Sequence, residues 1–396
     1  MQQQLRIWLR VCVFFGIYIS ATKNTSSNNS THLIVVGSAI CWTTKQQSNR
    51  TYYFQRCYNY FLWCGSCVTF VASIYWYSYP PDIRFNWVAS TILFTSRFLT
   101  NLLILMETFW GKQQHDTFLI LLQEIEDSLR LRLRWDTQRP LLLRHLQRFL
   151  IYQIALSLIG TVPSMAASFI FVNYGGYLWR GMWFICAIRV RTLQLLVYLY
   201  VLHHYLEGLC KKLHQIVAIR VAPSRQLLDV DYGKLGTLEY FIAAREIYTL
   251  IYKAFRLLND FAGWSLFGIV ISYMLDISSN FYWLLLSFDG AENRSFYYWA
   301  DLWWFLPVIS CVGYLCYWCN CCKQLDRTVA HLLSKIITRS SSSSAAHYRL
   351  VLHDFSMQLQ LQHIEVTSKN MFVIDVRFII SICTATAMHL VILKQF

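Results

Sequence analysis

Seven stretches of this chain are each predominantly apolar over more than 20 residues. They cover residues 57–79, 85–110, 149–172, 178–202, 261–287, 297–319 and 371–396. About 20 mostly apolar residues in a helix cross the ~30 Å hydrocarbon core of a bilayer. Inside that core every backbone N–H and C=O must be satisfied within the protein, so only helices and closed barrels span it. Barrel strands would be about ten residues long with strict alternation, and none of the seven segments reads that way. The expected fold class is therefore an all-α membrane protein with seven transmembrane helices. Composition agrees: 56% of the 396 residues are apolar and only 14% are charged, against about 25% in soluble domains. The formal charge of +14 would suggest nucleic acid on a soluble chain. Here the basic residues sit between apolar segments and leave no compact basic domain, so no nucleic-acid partner is expected; membrane lipid is.

Charge sets the expected orientation. The loops 111–148, 203–260 and 320–370 are long and hold 21 Lys and Arg residues, whereas the alternate short loops have only Arg84, Arg180 and Arg294 in or beside them. Basic residues are retained on the cytoplasmic side, which puts the long loops inside, the N-terminus inside and the C-terminus outside. That is opposite to the topology of a G-protein-coupled receptor. Residues 1–56 then form a cytoplasmic N-terminal segment, and 57–396 the seven-helix transmembrane domain. Within the first segment Val11–Thr22 is apolar but only 12 residues long, between Arg10 and Lys23. It suits an interfacial helix or a signal-peptide core better than a span, and an inside N-terminus selects the interfacial helix. The sequons at Asn24, Asn28, Asn29 and Asn49 stay inside, while Asn293 lies outside and is open to glycosylation. Segments 117–135, 237–260 and 346–366 have helical spacing, so the cytoplasmic side is expected to carry a helical bundle of its own.

No phosphate-binding loop, dinucleotide glycine pattern, zinc-protease motif or serine-hydrolase elbow is present, and His389 alone does not make a membrane acyltransferase. The chain is not expected to be an enzyme, and no cofactor or metal is implied. Cys316, Cys319, Cys321 and Cys322 cluster at the inner end of the sixth span without a second Cys/His pair at zinc-finger spacing. Juxtamembrane acylation and plain membrane-helix cysteines both fit them. His203 and His204, at the inner end of the fourth span, read as interfacial side chains.

Ionisable side chains within spans are costly and therefore informative. Arg97, Arg189, Arg191, Asp276 and Asp301 are such residues. At 1.5 Å per residue, Arg97 lies about 18 Å and Arg189 and Asp276 about 16 Å from the outer end. This common level permits an ion pair of Asp276 with Arg97 or Arg189. With Trp87, Trp183 and Tyr273 around it, such a pair would line a ligand pocket open to the outside; a structural salt bridge is the plainer alternative.

The last span ends the chain. Met388, Ile392 and Gln395 fall on one helical face through their spacing of four and seven, a stripe suited to a pore that closes by dewetting. The tail MHLVILKQF also resembles the signature closing the last span of insect gustatory receptors: Thr-Tyr, five apolar residues, then Gln-Phe. Gln395 and Phe396 match the closing pair, and Leu390, Val391, Ile392 and Leu393 match four of the five apolar positions. Met388 and His389 stand where Thr-Tyr would, and Lys394 replaces the fifth apolar residue. The seven spans, the inside N-terminus and the amphipathic second-to-third loop resemble that family over the whole chain.

The resemblance implies a subunit of a tetrameric ligand-gated cation channel for small-molecule tastants, homomeric or mixed with related receptors, in the plasma membrane of a sensory neuron. In it Gln395 sits at the pore constriction and Ile392 is the hydrophobic gate. Leu390, where sugar receptors of the family carry Glu, points to bitter or unassigned ligands. A seven-span G-protein-coupled receptor or a multi-pass transporter is the alternative reading of the spans.

Overall fold

A computed structural model of the chain describes residues 2–19, 49–75, 84–135, 139–172, 180–221, 238–288, 295–340 and 346–395. They form ten helices and one small hairpin. The elements are α1 (Gln2–Phe14), α2 (Asn49–Tyr75), α3 (Arg84–Trp110), α4 (Lys112–Arg132), α5 (Arg139–Val172) and α6 (Met182–Val221). The remainder are α7 (Leu238–Phe288), α8 (Ser295–Ser340), α9 (Ala346–Leu361), β1 (Thr367–Ser368), β2 (Phe372–Val373) and α10 (Val376–Gln395). The described residues of the seven apolar segments fall almost entirely on helices, the main exception being the start of the last, and the chain folds as an all-helical membrane protein. Five helices are long and apolar enough to span a membrane among the described residues, and Val376–Met388 is a shorter apolar one.

The three longest helices run far beyond a bilayer. α7 has 51 residues and is about 76 Å long at 1.5 Å per residue, against ~30 Å of hydrocarbon. α6 and α8 have 40 and 46 residues. Their extensions pack with α4 and α9 into the second bundle that the helical spacing of the long loops predicts. α6 is at the centre of the molecule: Leu196, Val197, Tyr198, Val201, Leu202 and Leu206 are all fully buried. α2 is peripheral. Its Phe54, Phe61, Val68 and Tyr75, spaced by seven, are all exposed, as expected of a face turned to lipid rather than to protein.

Three boundaries differ from the sequence expectation. The helix expected over 117–135 instead covers Lys112–Arg132. α3 ends at Trp110, and α4 restarts after Gly111. The last span does not begin at residue 371. Lys369 and Asn370 adopt positive φ of 46° and 60° and turn the chain into an antiparallel hairpin, with Thr367 opposite Val373 and Ser368 opposite Phe372. The helix then begins at Val376, because Asp375 Oδ1 accepts the Phe378 N–H at 3.2 Å, an N-cap arrangement. Residues 362–366 likewise leave the helix expected for 346–366, since α9 stops at Leu361.

The apolar N-terminal stretch does not lie along the outside of the bundle as an interfacial helix would. Trp8, Cys12 and Ile17 are buried in the main core and Ile19 is buried as well, and the chain after α1 hooks back through Gly16. Gly16 has φ 70°, and a Cβ there would stand 2.8 Å from Leu62 and 2.9 Å from Leu105, so both backbone sign and space require glycine. Three side chains hold the hook by its carbonyls: Tyr58 donates to Phe14 O at 2.8 Å, Asn59 to Gly16 O at 2.8 Å and Thr108 to Ile17 O at 3.2 Å.

Candidate functional site

α3 and α7 pack side by side in the outer half of the bundle, and this brings Arg97 against Asp276. Arg97 Nη2 lies 2.5 Å from Asp276 Oδ1, with side chains 5% and 7% exposed. Of the two pairings the spacing permitted, the fold makes this one. It is possible because Thr100, one turn inward of Arg97, donates to Gly268 O at 3.0 Å and keys the two helices in register. A charge pair at this depth is stable only when both partners are present.

The other expected pocket residues surround this pair unevenly. Arg189 does not reach Asp276. Its Nη1 donates to Ser157 O at 3.3 Å, and its guanidinium carbon lies 5.0 Å from the centre of the Trp304 ring. Arg97 approaches the same indole at 5.8 Å. Tyr273 is buried, but its hydroxyl pairs with Thr192 Oγ1 at 2.9 Å rather than with the ion pair. Trp183 is drawn to the N-terminal hook, with ring centres 5.0 Å from Phe15 and 5.8 Å from Phe14. The side chain of Trp87, and all of Asn293, lie outside the described residues. Trp304, which joins the two arginines, was not singled out in the sequence, where it is one Trp among 15.

A second buried network lies farther inward. Arg191 Nη2 faces Glu107 Oε2 at 3.5 Å, Nη1 donates to Gln194 Oε1 at 2.7 Å, and Nε donates to Ser265 Oγ at 3.2 Å. Glu107 Oε1 also accepts the Trp264 N–H at 2.6 Å. Gln194 continues to Tyr198, whose hydroxyl is 2.7 Å from His115 Nε2. The network joins α3, α4, α6 and α7 at one level. Arg191 stood out in the sequence, but Glu107, three residues from a span end, did not.

The segment before the last helix is strapped to α7 and α8. Asn259 Nδ2 donates to Glu365 O at 2.9 Å and its Oδ1 accepts the Thr367 N–H at 3.1 Å. Ser368 donates to Gly263 O at 3.0 Å and Lys369 Nζ to Asp260 O at 2.7 Å. From α8, Lys323 pairs with Glu365 at 2.8 Å and faces Asp375 at 3.8 Å. The Tyr248 hydroxyl lies 2.7 Å from Asp326 Oδ1 and 2.6 Å from Gln362 O, with its one proton shared between these two acceptors. A Cβ on Gly263 would meet Lys369 Cγ at 2.9 Å and its backbone nitrogen at 3.0 Å, so the hairpin sits directly on the α7 backbone.

Helix α10 leaves most of its surface uncovered. Ile382 and Thr386 are buried against α7 and α8, whereas Val376, Ile380, Met388 and Val391 are 44–67% exposed. Met388 therefore lies on an open face; the side chains of Ile392 and Gln395 are outside the described residues. In the cysteine cluster, Cys316, Cys319 and Cys322 are buried and Cys321 is half-buried.

The described residues thus form an all-helical bundle with a buried polar cluster in one half and a strapped terminal helix. A family model for the 7tm chemosensory receptors matches residues 5–396, and the chain belongs to that family. Two similar relatives are the putative gustatory receptor 39b of Drosophila melanogaster, 22% identical over 56% of this chain, and gustatory receptor 23a of the same fly, 28% identical over 38%. The matched regions span 59% and 39% of those relatives' lengths. The fold is similar to that of the olfactory receptor OR5 of Machilis hrabei. The TM-score is 0.67 for that receptor alone and 0.65 for its complex with eugenol, over 99% of this chain and 98% of that one at 11% identity.

Proposed function

We propose that this protein is a gustatory chemoreceptor: a subunit of a tetrameric cation channel in the plasma membrane of a sensory cell, opened by a small-molecule tastant rather than catalysing a reaction. The N-terminus is inside and the C-terminus outside, and Asn293 faces the glycosylation machinery. Ligand is bound in the outer half, around Arg97, Arg189, Tyr273, Asp276, Trp87 and Trp183. α10 lines the pore, with Ile392 as the gate and Gln395 at the constriction. Leu390 favours bitter or unassigned tastants over sugars. Homomeric and mixed tetramers with related receptors both fit.

The observation that carries this reading is that one helix, α7, bears both ends of the coupling. Asp276 lies in its outer half, and Asn259, Asp260 and Gly263 hold the hairpin that immediately precedes α10. A ligand that shifts α7 by its differential affinity for two states thereby moves the base of the terminal helix. The open face of α10, apolar yet uncovered in the single chain, supports its placement against neighbouring copies and a central pore. Gustatory relatives and an olfactory receptor of the same fold support the chemosensory role.

The test is expression in oocytes or cultured cells with current recording. Ile392→Ala is expected to raise basal conductance with no ligand, because a narrower apolar constriction is what keeps a dewetted pore closed. Unchanged basal conductance at normal surface expression would remove Ile392 as the gate. Currents that persist with G proteins blocked, and a C-terminal tag stained in unpermeabilised cells, distinguish this reading from a G-protein-coupled receptor.

A further inference from the structure

We infer that the outer-half cluster is an anion-recognition site, and that this receptor's ligands carry a carboxylate or a comparable small anionic group bound at Arg189. The inference rests on the receptor reading above and names the ligand class of that site.

Charge balance in the buried interior leads to it. Three arginines are buried within the spans: Arg97, Arg189 and Arg191, at 4%, 7% and 1% exposure. Glu107 stands against Arg191 and Asp276 against Arg97. Arg189 forms no ion pair among the described residues. Its contacts are a long hydrogen bond to the Ser157 carbonyl and the face of Trp304, and its Nη2 is buried with no partner. Arg97, which approaches the same indole, has a buried, unpartnered Nε. The neighbours of Arg189 on α6, α7 and α8 include Cys186, Tyr273 and Cys311, none of which supplies a negative charge near neutral pH. A guanidinium cannot lose its proton in a protein, so burial without a counter-charge is costly.

What would complete this arrangement is planar, anionic and able to accept from a guanidinium N–H, and a carboxylate does so in the fork geometry natural to arginine. The Trp304 ring, close to both guanidiniums, supplies apolar surface for the body of such a ligand. An aromatic carboxylate therefore uses every feature of the cluster, whereas a neutral amide of the same shape leaves the charge of Arg189 uncompensated. A cationic alkaloid would face like charge.

The test pairs sodium benzoate with benzamide, its neutral isostere, on the full-length protein purified in detergent. Binding is read as saturable thermal stabilisation, and response as current in expressing cells. Benzoate is expected to bind at least about tenfold more tightly than benzamide, the scale of one charge-assisted hydrogen bond. Arg189→Gln should abolish that preference and Arg189→Lys retain part of it. Equal binding of the two probes by the wild-type protein overturns the inference without recourse to any variant, as does an Arg189→Gln protein that keeps the preference. Asp301, three residues before Trp304, is tested by Asp301→Asn: an acid preference that appears only in that variant assigns Arg189's counter-charge to Asp301 and also overturns it. Benzoate binding without any current, even in Ile392→Ala, would refute the channel reading and leave the anion site standing. A leaky Ile392→Ala channel with no acid preference would do the reverse.

Discussion

At the scale of single residues, buried charge decides most. Asp276→Asn leaves Arg97 without its counter-charge. Removing one partner of a buried pair costs about 3–5 kcal/mol, whereas replacing both by apolar residues is often neutral. Asp276→Asn should therefore lower the melting temperature of the purified protein and alter ligand response at matched surface expression. The double substitution Arg97→Met with Asp276→Leu should recover stability but not response. Melting as stable as wild type in the single variant would show the pair contributes little to the fold. On the cytoplasmic helix α4, burial, reinforced by Arg191, pushes His115 down from 6.5 to about 3. Burial lifts the neighbouring Asp116 from 3.8 to about 6, against the pull of Lys112. The two act oppositely. A depressed histidine costs stability as pH falls from about 6.5 towards 3, because the unfolded chain takes up the proton first. A raised carboxyl regains stability as pH falls from about 6 towards 3.8. Asp116→Asn removes the compensating partner, so its melting temperature should drop more steeply than wild type between pH 6.5 and 4. Parallel curves would contradict these environments.

At the scale of elements, the hairpin strap is the informative piece. Asn259→Ala deletes two hydrogen bonds to the segment before α10 while leaving the outer cluster untouched. Each such loss is worth about 1 kcal/mol, so the ligand concentration for half-maximal current should shift by about fivefold or more. Binding measured on the purified protein should stay as in wild type. A shift in binding of the same size would place Asn259 in the ligand site rather than in the coupling. The strap was not legible in the sequence. Asn259 reads there as an ordinary residue of a cytoplasmic helix and Lys323 and Asp326 as residues of a long cytoplasmic loop, and a two-residue β-bridge has no periodicity to detect. The turn at Lys369 and Asn370 also carries no glycine to announce it.

At the scale of the whole molecule, the N-terminal hook closes the bundle. Phe14 and Phe15 reach Trp183, and Ile17 is buried in the main core with its carbonyl held by Thr108 of α3. Gly16→Val should lower surface expression and thermal stability, since it needs a left-handed backbone and displaces Leu62 and Leu105. A variant as stable as wild type would mean the hook adapts without loss. The long loops gave away their helices because amphipathic spacing persists in them. The hook did not, because twelve apolar residues between two charges look the same whether they lie on a membrane or inside a protein.

The sequence by itself determined the number and placement of the apolar segments, the crowding of basic residues in alternate loops and the level of the intramembrane charges. Those properties depend on composition along one dimension, and lipid selects for them directly. Which arginine meets Asp276, which arginine has no carboxylate partner among the described residues, where the N-terminus inserts and what holds the terminal helix were decided only in the tertiary structure. They depend on the register and rotation of one helix against another, and these are set by side-chain contacts between residues up to 179 positions apart.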